Sequence, residues 1–345
     1  MELPIVIATR GSALALAQAH AVFDECRAAF PQLRFEIKVI KTTGDKLQTA
    51  SLANPATSLP KGLFTKELEV ALFEHQADLA VHSLKDLPTD LPAGLTLGAV
   101  SKRADVRDVL IYRDEEFFER VANSAAASGD WTPGQKHRRG FRPKLAIQNL
   151  PQHATVATSS TRRKAQLLAL QPELRVVEIR GNVVTRLQKL AEQPELDALI
   201  LAAAGLERLH FQISHTGQLR GDAVPDALLA TILEPEVMLP CVGQGALGIE
   251  VRDGDERIAT ICERLNHFNT QHCVAAERAF LRALGGGCQS PVGAYADVLG
   301  HQIRLRVIAF RDGEMKRVEA RRAIRDAVAL GELLAAEIIE RRPAR

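Results

Sequence analysis

The chain has 345 residues, enough for two or three domains. Its 46% apolar and 25% charged residues are the mixture of a globular protein and exclude a largely disordered one. With 44 basic residues against 42 acidic ones the formal charge is +2, too balanced for a protein that coats a polyanion, and aromatic residues at 4% are too few for stacking on nucleic-acid bases.

The first residues, MELPIVIATRGS, carry no basic segment of the secretory kind, so no signal peptide is expected. No apolar run reaches the length of a membrane span, about eighteen residues. Residues 4–9 (PIVIAT) read as a strand, followed by the helical pattern SALALAQAHAVFDECRAAF with Ser12 as N-cap. RFEIKVIK (34–41) alternates like a strand, GLFTKELEVALFEHQ is an amphipathic helix, and DLAVHS is the next strand. A strand–helix–strand–helix–strand series favours a parallel-rich sheet with helices on its faces. The same order returns with ATVATS (154–159), TRRKAQLLALQ, RVVEIR, VVTRLQKLAEQ and DALILAAA. Two similar α/β domains with a cleft between them are therefore expected.

Two polar stretches, about 114–152 and 211–231, read as surface insertions of the second domain. After residue 270 comes a helix, the loop GGGCQSP, strands near 292–299, 303–310 and 315–320, and a helix over 324–341. Strands followed by a helix suggest a small α+β domain. The expected division is 1–105 with 240–265, then 106–239, then 266–345.

Several residues could carry chemistry. TRGS (9–12) and TSSTRR (158–163) place hydroxyls, arginine and unpaired N–H groups where a strand gives way to a helix, a ready anion site. Arg180, Arg186 and Arg208 extend the cationic reach beside the second of these. In AVHSLKDLPTDLP the strand ends at Ser83, and Lys85 and Asp86 follow at the edge where α/β sheets bind ligands. An Asp among cations can offset a developing positive charge or move a proton, or it can simply cap a turn. Cysteines Cys26, Cys241, Cys262, Cys273 and Cys288 are odd in number with no CxxC pair, against a disulfide framework or zinc knuckle and for a reducing, cytoplasmic setting. Cys26 and Cys262 lie on apolar helix faces, whereas Cys288 follows three glycines that give its sulfur room, so it is the candidate nucleophile or attachment point.

The blocks IATRGSALALAQ, KGLFTKELE, DLAVHSLKDLP, TSSTRRKAQL, IRGNVVTRL, DALILAAAGLERL, VGQGALGIE and ERAFLRALGGGCQSPVGAYA occur in this order along most of the chain. Together they resemble the porphobilinogen deaminase (hydroxymethylbilane synthase) family. The resemblance implies an α/β fold of two similar periplasmic-binding-protein-like domains with a small C-terminal α+β domain. It implies a dipyrromethane cofactor joined by thioether to Cys288, and stepwise deamination and condensation of four porphobilinogen molecules onto it. Hydrolysis would then release linear hydroxymethylbilane for tetrapyrrole (haem) biosynthesis.

Asp86 would be the catalytic residue, meeting pyrrole nitrogens and cationic intermediates. Lys85, Asp86, Ser159, Arg162 and Arg163 would hold the cofactor; Arg10, Ser12, Lys61, Lys66, Ser160, Arg180, Arg186 and Arg208 would hold substrate. The implied enzyme is a cytoplasmic monomer that uses no metal, nucleic acid or membrane. Leu59-Pro60 stands before Lys61 where the family commonly has glycines, and Ala157 replaces a common glycine, which should crowd the second anion site. Two readings compete: a two-lobed anion-binding protein, which leaves Cys288 unexplained, and a thiol redox sensor, which leaves the arginines unexplained.

Overall fold

The structure is a computed structural model that describes residues 3–43, 65–117, 119–120, 139–287, 290–311 and 313–340. Packing divides the chain into two compact units, Met1–Val106 with Leu239–Arg345, and Arg107–Met238. Lys61, Leu59-Pro60 and Cys288 lie outside the described residues.

In the first unit β1 (Ile5–Arg10) leads into α1 (Ala13–Ala29), β2 (Phe35–Ile40), α2 (Lys66–Phe73), β3 (Leu79–Ser83) and β4 (Leu95–Val100). The expected strand–helix alternation is present, and β2, β1 and β3 pair in parallel. The chain then leaves for the second unit and returns as β12 (Leu247–Arg252), which inserts antiparallel between β3 and β4. Helix α6 (Glu256–Leu265) covers one face with α1, burying Val22, Cys26, Ile258, Ile261 and Cys262 against Ile5, Ile7 and Val81.

The second unit repeats this plan. Its strands are β5 (Asp108–Arg113), β6 (Thr155–Ala157), β7 (Arg175–Val177), β8 (Ala198–Ala202) and β11 (Leu228–Leu233), in the order β11-β5-β8-β6-β7. As in the first unit, three parallel strands (β7, β6, β8) are followed by an antiparallel one, here β5, and an edge strand. Helices α3 (Thr161–Leu170), α4 (Val183–Glu192) and α5 (Ala203–Arg208) complete it. Arg113, with no exposure, donates to the carbonyls of Leu190 and Leu196. It thus sets a cation against the C-terminal end of α4.

Both polar stretches differ from their expected character as insertions. Over 139–150, Phe141, Leu145, Ile147 and Leu150 are buried in the core of the second unit, and the Leu145 N–H donates to Tyr112 Oη. Residues 211–231 form the hairpin of β9 (Gln212–Ile213) and β10 (Leu219–Arg220) and most of β11, with Phe211, Leu219 and Leu228 buried. In both places single apolar residues spaced among polar ones anchor the chain, a pattern that composition averages away.

The C-terminal part of the first unit packs α7 (Phe268–Ala283) and α8 (Ala327–Glu340) on the antiparallel sheet of β13 (Val292–Leu299), β14 (Gln302–Arg311) and β15 (Glu314–Ala323). Phe280, Leu305, Leu330 and Leu334 form its core. It is tied to the segments through which the chain leaves and re-enters the unit by the fully buried Glu277 on α7. That carboxylate receives both Arg103 amino groups (2.6 and 3.0 Å) and the backbone N–H groups of Gly243 and Ala296 (2.8 Å each). Among the described residues no helix is long and apolar enough to cross a membrane.

Candidate active site

Because β1 and β3 are parallel neighbours, their C-terminal ends share one edge of the first sheet. Arg10 ends β1, and Ser12 caps α1 by accepting the Ala15 N–H at 3.3 Å. The chain leaves β3 through a single 3₁₀ turn, Leu84–Asp86. Its apolar residue Leu84 is buried and donates its N–H to the Ala246 carbonyl (3.1 Å), which leaves Asp86 exposed and Lys85 half-buried. Arg10, Ser12, Thr65, His82, Ser83 and Asp86 line one cavity of about 60 Å³. Gln18 Nε2 donates to Ser83 Oγ at 2.8 Å and braces its wall. Lys66 begins α2 and is exposed; neither it nor Lys85 lines this cavity.

Gly243 supports the turn from below. It sits at φ +72°, and a Cβ there would stand 3.1 Å from Leu84 Cγ and 3.3 Å from Lys85 N. A side chain would be strained by the left-handed backbone and would press on the turn. Gly243→Ala is therefore expected to displace Asp86 and, with Asp86 in the catalytic role that the resemblance implies, to lower kcat at least tenfold with a far smaller change in KM, as steady-state kinetics would show; a one-ångström misplacement costs about 10²-fold.

The second unit presents the corresponding edge. Ser160 caps α3 by accepting the Arg163 N–H at 3.4 Å. The exposed Ser159 turns its hydroxyl inward, donating to the Ile179 carbonyl and accepting the Ile179 N–H (2.5 and 3.1 Å). This bond pins the residues just before Arg180. Arg180 is exposed, Arg186 donates from Nε to the Gly181 carbonyl (2.7 Å), and Arg208 ends α5 half-buried. Ala157 is wholly buried in the apolar core, so its methyl does not crowd the helix start.

Arg162 and Arg163, expected at this anion site, are held by an acid of the protein itself. Both are buried and paired with Asp108, the fully buried first residue of β5. Arg162 Nη1 lies 2.7 Å from Oδ2, and Arg163 Nη2 lies 2.7 Å from Oδ1. Asp108 pairs in register with Ala202, the last residue of β8, which brings it to the same sheet edge as the start of α3. Burial works to raise its carboxyl, but the two guanidiniums outweigh burial and hold it well below the usual carboxylate range. Two cations on one anion leave a net positive charge fixed at this edge.

Asp108→Asn is expected to cost about 3–5 kcal/mol, the size for breaking one side of a buried ion pair. Asp108 binds its proton less readily folded than unfolded. Its contribution is therefore complete above the unfolded value, about 3.9, and declines as pH falls below it toward the lower folded value. Unfolding curves of the two proteins should accordingly converge below about pH 4 and stay apart above pH 5.

His82, Gly243 and Asp108 escaped the sequence reading. His82 carried the best signal, since it stands three residues from Lys85 in the AVHSLKDLP block. Three cysteines are accounted for as core residues. Burial pushes the thiols of Cys26 and Cys273 up to about 12 and that of Cys262 up to about 11, away from nucleophilic use.

Each of the two α/β units gathers cations and hydroxyls where its strands end, and the first adds the exposed carboxylate of Asp86. A family model described as "Porphobilinogen deaminase, dipyromethane cofactor binding domain" matches residues 5–260, and one described as "Porphobilinogen deaminase, C-terminal domain" matches 271–340. Relatives named porphobilinogen deaminase occur in Desulforudis audaxviator (42% identical, 99% of this chain and 96% of that one) and Roseiflexus sp. (39%, 99% and 97%). The Moorella thermoacetica relative is 41% identical over 98% of this chain and 93% of its own. Among solved structures, the BenM effector binding domain with its effector benzoate aligns with a TM-score of 0.39 at 14% identity, over 77% of this chain and 89% of that one. The chain belongs to the porphobilinogen deaminase family.

Proposed function

We propose that this chain is a transferase that joins porphobilinogen molecules head to tail, with loss of ammonia, and releases linear hydroxymethylbilane. The observation that carries this is the convergence of Arg10, Ser12 and Asp86 on one cavity at the ends of β1 and β3. Each porphobilinogen ring brings two carboxylates and must develop positive charge as its amine departs. A site for it needs cations for the first and an anion for the second.

The donor set fits a dipyrromethane, whose acidic side chains call for cations and hydroxyls. Lys85, Asp86, Ser159 and the Asp108-fixed pair Arg162–Arg163 would hold it, Ser159 also shaping the loop through Ile179. When bound, it supplies the pyrrole carbon onto which substrate is added. Arg10, Ser12, Lys61, Lys66, Ser160, Arg180, Arg186 and Arg208 would take substrate carboxylates, each charge-assisted hydrogen bond contributing about 1.5–3 kcal/mol. Asp86 would stand against the charge that develops at the substrate.

Cys288 would be the point of attachment. Its described neighbours support this: Gly285 takes φ +66° after α7, and the Gly287 N–H donates to Ser290 Oγ at 3.0 Å. Gly287 has open space where a Cβ would stand. We further propose three functional domains (1–105 with 240–265; 106–239; 266–345), the last carrying the cofactor cysteine, in a cytoplasmic monomer without a nucleic-acid partner. Incubating the purified chain with porphobilinogen tests the reading: ammonia and hydroxymethylbilane should form in a four-to-one ratio, and a chain that leaves porphobilinogen unconsumed would refute it.

A further inference from the structure

Behind the Asp86 cavity lies a buried pair to which the scheme above gives no part. His82 on β3 is 5% exposed and Glu250 on the neighbouring β12 not at all. His82 Nε2 stands 3.0 Å from Glu250 Oε2. Among the described residues neither oxygen of Glu250, nor His82 Nε2, has an aligned hydrogen-bond partner. A carboxylate removed from water in this way is costly, by several kcal/mol, unless a positive group answers it, and such costs are retained mainly at working sites.

The other charged groups around the ring come from three elements. Glu69 faces it from α2, its carboxyl raised by burial and by Glu250 and lowered by the Thr65 hydroxyl and by His82 itself. Arg10 at the end of β1 and Asp86 after β3 share the cavity wall with His82. With its ring hydrogen on Nε2, the atom that stands 3.0 Å from Glu250, His82 would keep a lone pair on Nδ1.

The reaction needs such a group. Each addition breaks the C–N bond of the substrate and a ring C–H bond of the acceptor, and forms one C–C bond. Nitrogen leaves with its bonding pair as ammonia, the C–H pair returns to the ring, and the ring proton must be carried away. We propose that His82 Nδ1 takes up that proton and passes it to the departing ammonia, which leaves as ammonium, while Glu250 is the positioning residue that fixes the ring and offsets the imidazolium charge. This rests on the transferase reading, but part of its test does not.

Nitrogen-15 NMR of the His82 ring in the purified protein should show the Nε2–H form, giving way to mixed forms in Glu250→Gln. His82→Gln should lower kcat by about 10²-fold or more with KM within a few-fold, in a protein that still folds but unfolds at a lower temperature because Glu250 is left buried without its partner. Glu250→Gln should lower kcat at least tenfold and move one limb of its pH profile. An Nδ1–H ring in the unsubstituted protein overturns the proposal, and so does a folded His82→Gln with normal kcat. If Glu250→Gln fails to fold, these two measurements decide. Failure of the unsubstituted chain to consume porphobilinogen sinks the transferase reading and leaves the ring measurement standing.

Discussion

Asp86→Asn is expected to lower kcat on the order of 10²–10³-fold, the loss that follows removal of one preorganised charge-stabilising group, while the fold survives. Among the described residues the Asp86 carboxylate takes part in no recorded hydrogen bond or ion pair, and the residue is exposed at the last position of its turn. The turn is held without it, by the burial of Leu84, by the Leu84 N–H on Ala246, and by Gly243 beneath. Asparagine has the same shape, so stability should move by no more than about 0.5 kcal/mol. What disappears is the negative charge facing a centre that becomes positive as the amine leaves. KM should change little, because Arg10 and Ser12, the proposed partners of the substrate's carboxylates, are untouched. Asp86→Glu keeps the charge but displaces it, and should fall between the two. Steady-state kinetics with thermal unfolding of each variant checks this, and a fully active Asp86→Asn would remove the residue from its role.

The elements that build this site were legible where their information is local. Ser12 and Ser160 are caps because each precedes a helical pattern, and β3 ends at Ser83 because its buried run gives way there to the polar turn that carries Lys85 and Asp86. Long-range pairing left no such trace. Nothing near β12 says that it inserts between β3 and β4, and nothing near TSSTRR says that its arginines meet an acid 54 and 55 positions earlier. The arginines were read only as part of an anion site because a helix start is one by default; that an acid of the protein itself, Asp108, holds both of them could not be seen. His82 was passed over for a related reason: a histidine inside an apolar strand looks like core until its partner on β12 is in view.

Cys288→Ala is expected to abolish turnover, for a reason independent of charge. The proposed product grows by repeated addition, and each intermediate is a soluble polyacid that diffuses away unless it is attached. A covalent tether makes every later addition intramolecular, so its loss removes the whole sequence rather than slowing one step. The remaining described thiols cannot take over: Cys26, Cys262 and Cys273 are core residues with raised thiols, and Cys241 Sγ donates to Gln244 Oε1 at 3.5 Å. Intact-protein mass spectrometry should show the unsubstituted chain heavier by one dipyrromethane, located on the peptide containing Cys288. Cys288→Ala should lack that mass, while Cys241→Ala keeps both the mass and the activity. A dipyrromethane still bound to Cys288→Ala would move the attachment elsewhere. Normal hydroxymethylbilane output from an untethered Cys288→Ala would mean that the cations alone retain the growing chain.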